Sequence, residues 1–97
     1  MDITYLTSTH CERLHALGFE TEDGEKFDII DLLAFLPEVI HKGETDYHLY
    51  MEHSGNVWLL GYRDDDIHAS FMEELADEDF TIAIYKLVCW CRINNLI

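Results

Sequence analysis

The sequence predicts an α+β domain, a small antiparallel sheet of one or two hairpins packed against three helices, ordered helix, hairpin, helix, hairpin, helix. Three observations carry this reading. Residues Asp46 to Tyr62 form two apolar-rich, aromatic-rich runs around Ser54-Gly55, the pattern of strand, turn and strand. Residues Asp77 to Asn94 hold apolar side chains at helical spacing. Two shorter stretches each begin at a capping residue and stop at Gly18 or Pro37. With 97 residues the chain is a single domain (1–97) with one modest core, and its 48% hydrophobic content is enough to fold it.

The elements follow in order. Thr7, Ser8 and Thr9 offer N-caps to a helix running to about Leu17. Cys11, Leu14 and Leu17 share one face of it, and Gly18 follows as the residue that takes a left-handed turn. Phe19 to Phe27 reads as a short hairpin turning at Asp23-Gly24. Asp28 caps a second helix, Ile29 to Leu36, with Ile29, Leu32, Leu33 and Leu36 inward. Pro37 limits it, because the residue before proline is pushed out of the α region. His41-Lys42-Gly43 closes the next segment. A two-residue turn at Ser54-Gly55 then sets Met51 against Trp58, Leu49 against Leu60 and Tyr47 against Tyr62 on the core side. On the other side Glu52 faces Val57, Tyr50 faces Leu59 and His48 faces Gly61, a half-apolar surface. A short amphipathic piece, Ile67 to Leu75, leads into the last helix. Phe80, Ala83, Ile84, Leu87, Val88 and Cys91 stripe that helix, and Ile82, Tyr85 and Trp90 broaden its apolar character beyond what a small domain usually needs.

Charge separates the function classes. There are 20 Asp and Glu against 6 Lys and Arg, a formal net charge of -14. The acids are clustered: residues 20–31 carry a net of -5 and residues 63–79 a net of -7. Solvated loops and helix starts favour Asp and Glu and explain part of this. The remainder is an electrostatic binding face whose expected members are Glu20, Glu22, Asp23, Glu25, Asp64, Asp65, Asp66, Glu73, Glu74, Asp77 and Glu78. Such a surface repels nucleic acid and anionic membrane and attracts basic partners. Direct nucleic-acid binding is excluded on charge.

No residue set points to catalysis or to a cofactor. The six histidines are scattered, with no two of them four apart and no Cys-x-x-Cys, so no metal ligand is assigned. In Asp64-Asp65-Asp66 a calcium loop fails, because Ala69 stands in the glycine place and Leu75 in the glutamate place. Phosphate-binding, dinucleotide and nucleophile-elbow motifs are missing. Cys11, Cys89 and Cys91 are odd in number and set in apolar surroundings, which reads as buried thiols in a reducing, cytoplasmic setting. The first residues lack a signal-peptide pattern, and the apolar C-terminal stretch is broken by Lys86, Arg92, Asn94 and Asn95, so no membrane span is expected.

Leu36-Pro37, Tyr47, Tyr62, Ala76-Asp77, Ala83, Lys86, Trp90, Asn95 and Ile97 together resemble a set of small proteins of phages and mobile elements of gut bacteria. That set shares a helix ending in Leu-Pro, a hairpin with Tyr and Trp, and a closing helix ending near Asn-x-Ile. The similarity spans roughly residues 28–97, and the hairpin near the N-terminus is shorter here. It implies a fold type and a mobile-element origin, and no activity. The expected function is therefore a non-enzymatic, acidic interaction protein that binds a basic, nucleic-acid-handling host protein as a nucleic-acid mimic or inhibitor. The alternative is a self-associating structural module, a homo-oligomer built on the apolar surfaces of the Asp46–Tyr62 hairpin and the last helix.

Overall fold

A computed structural model describes residues 6–21, 26–64 and 71–97, with the backbone alone at 71–73. The domain is α+β, with three helices and a four-stranded antiparallel sheet in the meander order β1-β2-β3-β4. In chain order the elements are α1 (Ser8–Ala16), α2 (Ile29–Phe35), β1 (Val39–Lys42), β2 (Thr45–Ser54), β3 (Val57–Arg63), β4 (Phe71–Asp77) and α3 (Phe80–Ile93). Among the described residues no strand stands where the first expected hairpin was placed, and the sheet is larger than one or two hairpins.

Local chemistry explains the helix ends. Thr7 caps α1, its hydroxyl accepting from the His10 amide at 3.3 Å. The helix closes in a Schellman motif: the Phe19 amide reaches the Leu14 carbonyl, the Gly18 amide reaches the His15 carbonyl, and Gly18 takes φ +92°. Asp28 and Asp31 form a reciprocal capping box on α2, at 2.9 and 3.0 Å. Leu36, ahead of Pro37, sits at ψ 123°, which ends that helix. A second Schellman motif ends α3, with Asn95 at φ 57° and bonds from Leu96 to Cys91 and from Asn95 to Arg92.

The expected hairpin at Phe19 to Phe27 does not form: the described flanks, 19–21 and 26–28, are not strand, and the Asp23-Gly24 turn lies outside the described residues. Phe19 and Phe27 instead bury their rings around Phe35, with centroids 4.7 and 6.0 Å away. An isolated hairpin with so little apolar content has no face to pack.

Between β2 and β3 the turn is Gly55-Asn56, one residue later than expected, and pairing joins Ser54 to Val57, Met51 to Leu60 and Leu49 to Tyr62. Gly55 has φ +63° while Asn56 does not enter the positive region, the pattern of a type II′ turn. Moving a turn by one residue shifts each cross-strand partner by two, and a shift of two keeps every side chain on its own face. Leu49, Trp58, Leu60 and Tyr62 thus still look into the core. The outer pairs change to Tyr50 with Gly61, Glu52 with Leu59 and His48 with Arg63. Gly43, at φ +65°, makes the same kind of turn between β1 and β2.

β4 replaces the expected piece Ile67 to Leu75, whose first four residues lie outside the described ones. Its pairing sets Leu75 beside Leu60 on the core face, so the strand is chosen by its partner against the poor strand preference of Glu73 and Glu74. The last helix therefore starts at Phe80 instead of Asp77, and Asp79 is its N-cap.

The core lies between one face of the sheet and the helices, with α3 at its centre. Thr81, Ala83, Ile84, Leu87, Val88, Cys89 and Cys91 are all buried. Those positions wrap most of the helix circumference, because α3 packs on β3, β4 and α2, while His10 of α1 lies on Tyr85 at 4.5 Å. Ile82, Tyr85 and Trp90, which broaden the apolar face, are partly buried against this core, and Ile93 is exposed.

Candidate functional site

The acidic residues divide by what they do locally. Asp79 Oδ1 accepts from the amides of Thr81 at 2.8 Å and Ile82 at 3.2 Å, satisfying helix-start donors. Asp77, the last residue of β4, accepts from the Asp79 amide at 2.9 Å and from Lys86 Nζ at 2.7 Å. The Lys86 hydrogen bond, with help from the Asp79 amide, holds the Asp77 carboxyl below its usual range. Glu74 accepts a short hydrogen bond from the Tyr50 hydroxyl on the outer face of the sheet. Arg63 sits 5.0 Å above the Tyr50 ring, completing a Glu74-Tyr50-Arg63 cluster. Desolvation and then Glu74 push the Tyr50 hydroxyl upward. Glu20 and Glu78 are exposed and Asp64 is half-buried. Glu22, Asp23, Glu25, Asp65 and Asp66 lie outside the described residues, as does the side chain of Glu73.

Of the described members of the two acidic segments, Glu20 and Asp64 lie towards one end of α3 and Asp77 to Asp79 at the other. α3 runs parallel to β3, since Phe80 packs on Trp58 at 4.6 Å and Cys91 lies against Tyr62. Asp64 follows Tyr62 and Arg63, which sets it towards the C-terminal end of α3. Glu20 is at that end too, because its neighbour Phe19 lies under the Arg92 guanidinium at 4.3 Å. Asp77, Glu78 and Asp79 stand at the N-terminal end, about 18 Å away by the helical rise from residue 80 to 92.

Four of the six basic residues lie against side chains of this molecule. Lys86 is bound to Asp77, Arg63 lies over Tyr50, Arg92 over Phe19, and Arg13 lies near Cys89. Arg13, Arg63 and Lys86 are exposed, as are Glu12, Glu20, Glu38, Glu44, Glu52 and Glu78.

The histidines and cysteines are dispersed. His41 Nδ1 contacts Asp46 Oδ1 at 2.6 Å, His15 Nδ1 lies 3.2 Å from the Phe19 carbonyl, and His53 stacks on Trp58 at 4.5 Å. Cys11, Cys89 and Cys91 are free and buried. Burial pushes the Cys91 thiol up to about 12 and raises Cys89, so both stay protonated at neutral pH. Among the described residues no group of three or more His, Cys, Asp or Glu is placed to hold a metal ion. Among them, too, no helix is long and apolar enough to cross a membrane.

Composition and spacing did not disclose two parts of the surface. One is the Glu74-Tyr50-Arg63 cluster, which needs the β3–β4 pairing to exist. The other is the outer end of the β2–β3 hairpin, where Met51, His53 and Ser54 are exposed beside the partly buried Trp58. The unlike lengths of β1 and β2 were the signal for it, and that difference depends on recognising β1. Comparison with models of protein families, with curated proteins and with solved structures finds no match for this chain.

Proposed function

We propose that this domain is a non-enzymatic interaction protein of phage or mobile-element origin that binds a basic, nucleic-acid-handling protein through its carboxylates. In the sharpest form it occupies that partner's phosphate-binding surface as a mimic. One observation carries the reading: four of the 6 bases already lie against side chains of this molecule, while among the described residues exposed glutamates without such cationic neighbours stand on helix, turn and strand alike. The field outside the domain is then set by a net charge of -14 with little local compensation. The resemblance to small phage and mobile-element proteins supports the origin.

The structure refines how to test this. Glu74, Asp77 and Asp79 have local partners, so removing them would disturb the fold along with the field. Neutralising Asp65, Asp66, Glu73 and Glu78 to the amides leaves those three carboxylates unchanged. In a low-salt pull-down from bacterial lysate, the wild type should capture a nucleic-acid-handling protein that the neutralised protein leaves behind. Elution should come with moderate salt, because the Debye length falls from about 8 Å at physiological ionic strength to about 3 Å at 1 M. Equal capture by both proteins, or capture that resists salt, refutes the reading.

A further inference from the structure

We propose that the outer edge of β2, from Met51 to His53, accepts an extended segment of a basic partner as an added antiparallel strand, with an apolar-basic-apolar alternation in that segment. This rests on the reading above and names where and how the partner docks.

The edge is open for a stated reason. β2 has ten residues and β1 only four, and β1 pairs with Thr45 to His48 alone. One further bond, from the Leu49 amide to the Glu38 carbonyl at 2.9 Å, ends the ladder. Upstream of Glu38 the chain turns away at Pro37 into α2, so among the described residues no strand continues beside Tyr50 to Ser54. Alternation along the strand fixes the direction of each backbone group. The Leu49 amide points towards β1, so those of Met51 and His53 point the same way, to the open side. Even-numbered residues from His48 to Ser54 are the ones bonded to β3. Two amides and two carbonyls are thereby offered in register to an incoming backbone.

The side chains along that edge define what fits. On the core face, Met51 is 39% exposed, and His53 stacks on Trp58, which in turn meets Phe80 at 4.6 Å. Apolar residues of the added strand would extend this shelf. Between them, on the opposite face, stands exposed Glu52 with no cation across from it among the described residues, and a lysine or arginine in the incoming strand would take that place. A second copy fits poorly: each carries -14, and pairing two copies about Glu52 brings two carboxylates face to face.

The test uses end-blocked, fluorescent hexapeptides on the intact chain at low salt. One alternates valine and lysine; a second has the same composition in two blocks of three. His53→Pro removes one outward amide without touching a bond to β3, and proline is tolerated at such edge positions. Anisotropy should show the alternating peptide binding at least tenfold more tightly than the block peptide. His53→Pro, with unchanged circular dichroism, should lose at least tenfold, while His53→Ala should keep most of the binding. Independently of any variant, the Met51 and His53 amides of the wild type should gain hydrogen-exchange protection with the alternating peptide. Equal, salt-sensitive binding of both peptides, unaltered by His53→Pro and without that protection, overturns the edge proposal and leaves the acidic-binding reading standing. Absence of binding by either peptide overturns both. A dimer of the protein alone, dispersed by His53→Pro, overturns it in favour of self-pairing.

Discussion

Tyr62 ties the sheet to the end of α2, and Tyr62→Phe isolates that tie. The side chain is fully buried, and its hydroxyl donates to the Pro37 carbonyl at 2.8 Å. Pro37 is the residue that turns the chain from α2 into β1, so the bond fixes the angle at which that helix leaves the sheet. Phenylalanine keeps the ring volume and removes only the donor. A net hydrogen bond contributes about 1 kcal/mol, and a carbonyl left unsatisfied adds about 1 to 3 more when water cannot reach it. Pro37 is half-buried, which admits some water and places the loss at roughly 1 to 2 kcal/mol. For a domain near 100 residues that lowers the thermal midpoint by roughly 5 to 10 °C. With a urea dependence of about 1.5 kcal/mol per molar, the urea midpoint drops by about 1 M. Urea unfolding followed by Trp fluorescence measures it, with Tyr47→Phe as the control, since Tyr47 is only half-buried. If Tyr62→Phe and Tyr47→Phe unfold at the same urea concentration as the wild type, the Tyr62–Pro37 bond does not support the fold as reasoned.

Two further outcomes concern pH and capping. Cys91 is raised to about 12 from 9.0 and the Tyr62 hydroxyl is also raised, both first by burial, so the unfolded chain ionises before the folded one. Their contribution is complete below about pH 9 and fades as pH climbs towards 12, by up to about 1.4 kcal/mol per unit per group. Denaturation series from pH 8 to 11 should slope downward, and less steeply in Cys91→Ala; an identical slope refutes the assignment. At the other end Asp77 is depressed below 3.8 by Lys86, so its contribution is present above that value and lost as pH falls through its folded value. Asp77→Asn should therefore flatten the acid limb of a stability curve, whereas Asp79→Ala should lower stability at every pH by about 1 kcal/mol through the lost N-cap. A pH-independent effect of Asp77→Asn would count against the Lys86 pairing.

Short-range grammar made much of the fold legible. Thr7, Asp28, Gly18 and Pro37 bound helices through contacts within a few residues, and these read correctly along the chain. The two-residue period placed Leu49, Trp58, Leu60 and Tyr62 on the core face even though the turn fell one residue away. The misreadings share a cause. β1 is four residues with two exposed ones, and β4 carries two glutamates; neither holds a strand pattern strong enough to stand without its neighbour. The Phe19–Phe27 stretch had a turn dipeptide but no sheet to join.

What the sequence determined alone is the charge, the α+β class, the starts and stops of the first two helices and the face each β2 and β3 side chain presents, because all of these depend on composition or on spacing within a few residues. Only the tertiary structure decided the four-strand order, the pairing of Glu74 with Tyr50, and the open edge at Met51 and His53. Those depend on which strand lies beside which, a choice made by burying Leu60, Leu75 and Tyr62 together under α3, and residues so far apart in the chain leave no periodic mark of the pairing.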